Sequence, residues 1–488
     1  SSNQTRLTSV TYPGGREIDF DYGTSGGIDD ALSRVQQLLD GATTLAEYNY
    51  LGAGTAVQLS YPQPDEMMDL WDETTGTYTG LDRFGRIIDL PWIQGPSGTP
   101  TDVARIKYGY NRASSPTYVR DEIARSNGAD LDQLYSYDGL QRLIDFQQGQ
   151  LNAGNTAITS STLTQDWDLD QVGNWGGFNQ GVSGVLNQTR THNRVNEITG
   201  ISNGSGQPVW IDPAYDDAGN MTLTPRPDAP TDGFALTYDA WNRITQVETT
   251  DVSPELVAKY GYDGRNHRIS KEVYDAAGSL ESTIKFFCNA SWQCLGERET
   301  PVGGSSSTST YVWGQRYIDD LVCRDDASDR LYALQDRQYK TIAVTNTSGT
   351  VQERYNYTPY GETFVYDATF TPRTASAFDW VYLYTGRRLD RETGLYNFRN
   401  RYFVPSLGRF FSKDPIVYDG RDLNLYRYVG NNPLTFLDPS GQSFWCPISG
   451  LATTVIFTAT LVSCAALLVP EPFSLPRRLP VLWGLHPQ

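Results

Sequence analysis

Carboxylates outnumber every other side chain able to do acid–base or nucleophilic chemistry: the chain holds 57 Asp and Glu against three histidines and five cysteines. Sequence does not report the distance between two acids, so a glycosidase-type carboxylate pair stays open. Asp414 and Asp438 each precede proline. Taken alone, such Asp-Pro steps are turn and cap positions, with Asp bonding its own backbone and Pro fixing the next φ. His192, His267 and His486 sit in unlike contexts, the first two within repeated turns where satisfied surface residues are the common case. A Ser-His-Asp triad or a histidine metal site is therefore not expected. No Gly-rich phosphate loop with its lysine is present, and no cofactor is expected. Cys288, Cys294, Cys323, Cys446 and Cys464 form neither a zinc quartet nor a dense disulfide framework. Cys288 and Cys294 are placed to pair across a short turn or to serve as small part-buried thiols.

The elements that must position these groups are β-strands. Gly (45), Tyr (31) and Thr are plentiful and helix formers scarce, which favours strands joined by tight turns. An all-β protein is expected, with a helix content below a third. The net charge of -18 disfavours a phosphate-binding surface, because nucleic-acid binders displace counterions with clustered Lys and Arg. Nucleic acid is not an expected partner. The polar opening at Ser1 shows no basic and apolar leader, as in a fragment of a longer protein.

The main signal is a repeat. An aromatic or apolar residue, Asp or Asn, two or three variable residues, Gly or Asn, Arg or Asn, then an apolar residue recur around Asp82, Asn111, Asp138, Asp170, Asn193, Asp216, Asp239 and Asp263. The steps run from 23 to 32 residues. Such a period marks units that cannot bury an apolar face alone and need stacked neighbours. The Asp or Asn with the following Gly or Asn makes a hairpin turn, and flanks such as "GFALTYD" and "RITQVETT" alternate with period two as half-covered strands do. One unit is one hairpin.

These units resemble the YD repeats of the Rhs family, which includes bacterial polymorphic toxins, the C component of Tc insecticidal toxins and the shell of teneurins. The segment "YTGRRLDRETGLYNFRNRYFVPSLGRFFSKDPIVYDGRDLNLYRYVGNNPLTFLDPSG" (384–441) is similar to the Rhs-associated core motif. The resemblance implies antiparallel hairpins spiralling into a hollow β-shell over 1–360, a core over 361–441 that seals it, and a variable tail over 442–488. It also implies self-cleavage by paired aspartates after the boundary leucine, with Asp414 and Asp438 as the candidate catalytic residues. Two close carboxylates divide acid and base roles because like charges push their pKa values apart. The chain departs from the motif at Val404, where the first acid is expected, and at Gln442, where leucine is expected. Cleavage is therefore expected to be impaired, leaving at most a vestigial aspartyl protease.

At Gly441 the chain also changes character, as a separate tail would make it do. Residues 448–469 carry no charge, and 22 residues at about 1.5 Å each span a ~30 Å hydrocarbon core. A membrane helix is expected there, or else a buried apolar peptide or toxin remnant. Two functions follow as expectations. One is a shell that holds or delivers a variable C-terminal effector, its partners being its own tail or a toxin cargo and an immunity protein. The other is a surface-anchored structural or adhesive repeat protein facing a cell surface or membrane. Either is expected to be bacterial and secreted or at the cell surface.

Overall fold

A computed structural model describes residues 6–442, positions 97, 183, 184 and 252 excepted. The chain is 48% strand and 5% helical, and its strands are antiparallel. Two fifteen-stranded sheets follow one another, the first from strand Ser9–Thr11 to strand Ile198–Asn203 and the second from Ala214–Tyr215 to Pro372–Arg373. In both, every strand pairs with its neighbour in sequence. Local hairpins alone therefore build the wall. The candidate span at 448–469, with His486, Cys446 and Cys464, lies outside the described residues. Among the described residues no helix is long and apolar enough to cross a membrane.

The turns explain the spacing. At Asp239 one carboxylate oxygen accepts from the amides of Trp241 (2.9 Å) and Arg243 (3.1 Å), and the other from Arg243 Nε at 2.7 Å. Asp82 and Asp138 repeat the pattern with Arg86 and Arg142. Three acceptor bonds per turn fix each of these hairpins through contacts local in sequence. Neighbouring turns then join side by side: Asn220 Nδ2 donates to Asn242 Oδ1 at 2.9 Å, and Arg243 Nη1 to the Asp263 carbonyl at 3.0 Å. Tyrosines before several turns stitch a hairpin to the one before, as Tyr238 and Tyr262 do to the carbonyls of Met221 and Ile244, both at 2.8 Å.

Asn242 holds φ at +60°, a left-handed angle that strains a β-branched side chain. Replacing it with valine also removes one of the two acceptors of Asn220 Nδ2, the other being Asp216 Oδ2 at 2.9 Å. We expect Asn242→Val to cost roughly 1 kcal/mol or more and Asn242→Gly markedly less, read as urea midpoints. Equal midpoints for valine and parent would contradict the strain.

The two sheets meet face to face. Tyr12 Oη donates to the Tyr311 carbonyl at 2.8 Å, Trp92 Nε1 to that of Gln335 at 3.1 Å, and Gln133 Nε2 to that of Tyr357 at 2.9 Å. A third, four-stranded sheet of Arg388–Asp390, Leu395–Phe398, Arg401–Val404 and Arg409–Phe410 packs between them. Its two faces follow strand parity. Phe398, Phe403 and Phe410 enter an aromatic cluster with Trp167, Trp175 and Tyr384, while Leu395, Tyr402 and Val404 enter an apolar cluster with Ile198, Met221 and Phe234.

Candidate functional site

The structure brings Asp414 and Asp438 together on one cation. Arg401, at the start of strand Arg401–Val404, points to the same face as Phe403 and stacks over the Phe410 ring at 3.6 Å. Its side chain is only 2% exposed. From there Nη2 reaches Asp414 Oδ2 at 2.9 Å and Asp438 Oδ2 at 3.5 Å, and Nη1 donates to the Leu425 carbonyl at 3.0 Å. Nε donates to the carbonyl of Gly441. With Asp422, Asn424 and Gln442 these groups line a cavity of about 20 Å3, close to the volume that holds one water.

Asp438 is a turn acid of the kind expected from its Asp-Pro step. Its Oδ1 accepts from the amides of Ser440 (3.2 Å), Gly441 (2.7 Å) and Gln442 (3.2 Å). Asp414 Oδ1 accepts from the Ile416 amide at 3.0 Å, and burial pushes its carboxyl up to about 6 although Arg401 pulls the other way. Three more side chains grip the boundary segment. Arg387 Nη1 donates to the Pro439 carbonyl at 3.2 Å, Arg399 Nη1 donates to the same oxygen, and Asn400 Nδ2 donates to the Ser440 carbonyl at 3.0 Å. Gly441 has φ of +73°, and a Cβ there would come within 2.4 Å of the Phe398 carbonyl. A side chain at 441 would thus unseat the segment.

Val404 stands elsewhere. It is fully buried on the face of its strand opposite Arg401, among Ile198, Leu407 and Phe411, and lines no part of the Asp414–Asp438 cavity. Positions 401 and 404 are three apart, and an odd offset in a strand reverses the side chain. An acid at 404 would face that apolar cluster, so its absence does not deprive Asp414 of a partner; Asp438 is the acid at hand. Arg401 carries the site's geometry, and nothing in its residue type or spacing marks it for that role. Arg409 turns to the shell wall, donating to the Asn196 carbonyl at 2.7 Å and to Asn174 Oδ1 at 3.0 Å.

His267 differs from the expectation of a surface residue. It is 7% exposed, with Nδ1 3.1 Å from Asp263 Oδ2, because the turn acid recruits whichever side chain stands four residues on. His192 is half-buried, and burial, then Arg409 and Arg190, push its imidazole down to about 3. Among the described residues no group of three or more His, Cys, Asp or Glu is placed to hold a metal ion.

No family model matches the chain. It is 24% identical over 470 residues to salivary gland surface protein 1 of Aedes aegypti, which covers 90% of this chain and 13% of that protein. It is 29% identical over 261 residues to the tRNA3(Ser)-specific nuclease WapA of Bacillus spizizenii, covering 53% of this chain and 10% of the relative. Among solved structures, the TcdB2–TccC3 complex without its hypervariable C-terminal region superposes with a TM-score of 0.65 at 19% identity, over 88% of this chain and 20% of that one. The fold is that of a Tc toxin shell, and the chain spans a fifth or less of the length of these proteins.

Proposed function

We propose that this chain is part of a toxin-related β-shell whose core, 361–441, seats the start of a variable C-terminal region, and that self-cleavage between Gln442 and Ser443 is impaired. The single observation that carries this reading is the convergence of Arg387, Arg399, Asn400, Arg401 and Asp438 on the backbone of 439–442. So many bonds to main chain hold a segment whatever side chains follow it, which suits a tail free to vary. Arg401 also bridges the two acids. A cation between carboxylates relieves the repulsion that would make them share a proton, and acid–base division needs that sharing. The shell fold, and the similarity to relatives named as nucleases, support an effector as cargo and delivery outside the producing cell, in bacteria. The similarity to a protein named for a salivary gland surface, over nearly the whole chain, favours a structural surface role as the second reading.

Intact mass of the purified chain tests the cleavage half at pH 5 and pH 7.5. Asp414 is largely protonated at the lower value and could then act as the acid, so pH 5 is the demanding condition. One species is expected at both. Release of 443–488 at pH 5, abolished by Asp414→Asn, would overturn the reading. For the seat, limited proteolysis of Arg399→Ala should cut near 442 faster than in the parent, and equal rates would count against a gripped boundary.

A further inference from the structure

One hairpin carries a pair of cysteines beside its turn. In several hairpins the residue before the turn acid is Tyr and its cross-strand partner is apolar, as in Tyr238 with Ile244 and Tyr137 with Leu143. In the hairpin of strands Leu280–Cys288 and Cys294–Pro301 both places are cysteine, and Cys288 pairs directly with Cys294. Residues directly opposed in antiparallel strands have Cα atoms about 4.5–5.5 Å apart, within the span a disulfide bridges. Both thiols are free.

The thiol in place of a phenol also leaves room. A cavity of about 520 Å3, open to solvent, is lined by Tyr12, His267, Phe286, Phe287, Cys288 and Leu295. Cys288 is half-buried at its edge, and Cys294 lies deeper, 7% exposed. The two sulfurs are unlike. A hydrogen bond from Cys294, with Arg268 pulling the same way against burial, holds the Cys288 thiol below its ordinary value, while burial pushes Cys294 well above. An accessible thiol of lowered pKa backed by a buried thiol of raised pKa is the arrangement of attacking and resolving partners in disulfide exchange.

We infer that Cys288 and Cys294 form a dithiol site that reacts with disulfides of small thiols entering this cavity, ending as a Cys288–Cys294 disulfide. The Cys288 thiolate attacks one sulfur of R–S–S–R. That S–S bond breaks, one RS− leaves and takes up the proton Cys288 released, and a mixed disulfide remains. Cys294 then loses its proton and attacks the Cys288 sulfur, displacing the second RS−, which takes that proton. Two protein thiols are oxidised and one R–S–S–R is reduced to two R–SH.

The test uses the full chain with glutathione disulfide, followed by alkylation, unfolding and tryptic digestion. Cleavage after Lys285 and Arg298 leaves both cysteines on the single peptide Phe286–Arg298. That peptide is expected to lose two hydrogens and take no alkyl group. Cys294→Ser should stop at one glutathionyl group on Cys288, and Cys288→Ser should leave Cys294 free. Two alkyl groups on the parent peptide after disulfide treatment would overturn the proposal without reference to either variant. Glutathionylation of Cys294 in native Cys288→Ser, as fast as that of Cys288 in the parent, would overturn the assignment of roles.

Discussion

Asp390→Ala is expected to destabilise the protein by about 3–5 kcal/mol, the range for a buried charge network that loses one partner. Asp390 is fully buried in the core sheet and takes Arg268, Lys271 (3.3 Å) and Arg388 (2.8 Å) on its two oxygens. Burial opposes its charge, but Arg268, then Lys271 and Arg388, hold the carboxyl well below the usual range. Its contribution is therefore present above the ordinary Asp range and lost only in strong acid. Glu297 satisfies Arg388 through two bonds of 2.9 and 2.7 Å, and Glu392 takes Lys271 at 2.9 Å. Removing Asp390 leaves three buried cations facing two acids. Arg268, Lys271 and Glu297 belong to the wall, and Arg388, Asp390 and Glu392 to the core, so the network pins one to the other. Urea unfolding should show the loss, and hydrogen exchange should rise in strand Arg388–Asp390. A change below about 1 kcal/mol, the scale of an exposed ion pair, would mean the cluster is solvated.

The hairpin wall was legible because its signal is local. Asp or Asn bonding amides two and four residues on, before a left-handed Gly or Asn, is chemistry contained in six residues. The pattern is still visible where Gln141 or Ser114 fills the left-handed place, and fades where an aromatic residue does. Turns of the same bonding at Asn289, Asp336 and Asp367 carry Trp292, Tyr339 and Phe370 at φ between +60° and +67°. A search for Gly or Asn passes over them. Those aromatic rings touch neighbours that sequence does not name: Trp292 packs edge-on to His267, and Tyr339 stacks on Tyr317. The acid site shows the other limit. Asp414 and Asp438 were visible as residue types, but their meeting depends on Arg401 and on which face of its strand each residue takes. Motif order pairs position 404 with Asp414, whereas strand parity sends 404 away.

Glu66→Gln should gain stability over the parent as pH rises from 5 to 8. Glu66 is 1% exposed, on strand Glu66–Asp69 of the first sheet, and its Oε2 accepts from Thr345 Oγ1 of the second sheet at 2.8 Å. Its Oε1 has no hydrogen-bond partner among the described residues. With no cation beside it, burial pushes the carboxyl up to about 8 from an ordinary 4.5, and the Thr345 bond lowers it only in part. Between those values the folded protein keeps a proton that the unfolded chain has released. Stability therefore falls with pH across that window: the contribution is full below 4.5 and gone once pH passes 8. At roughly 1.4 kcal/mol per pH unit, the span is on the order of 4 kcal/mol. Glutamine keeps the shape and the acceptor for Thr345 but cannot ionise, so variant minus parent isolates this group. Burial holds the Lys340 amine down at about 8, which makes it titrate in the opposite sense above that pH, and it cancels in the difference. Urea unfolding at pH 5, 6.5 and 8 should show the difference widening by several kcal/mol. A difference independent of pH would mean that Glu66 is ionised in the fold, and that water or a cation reaches the seam between the two sheets.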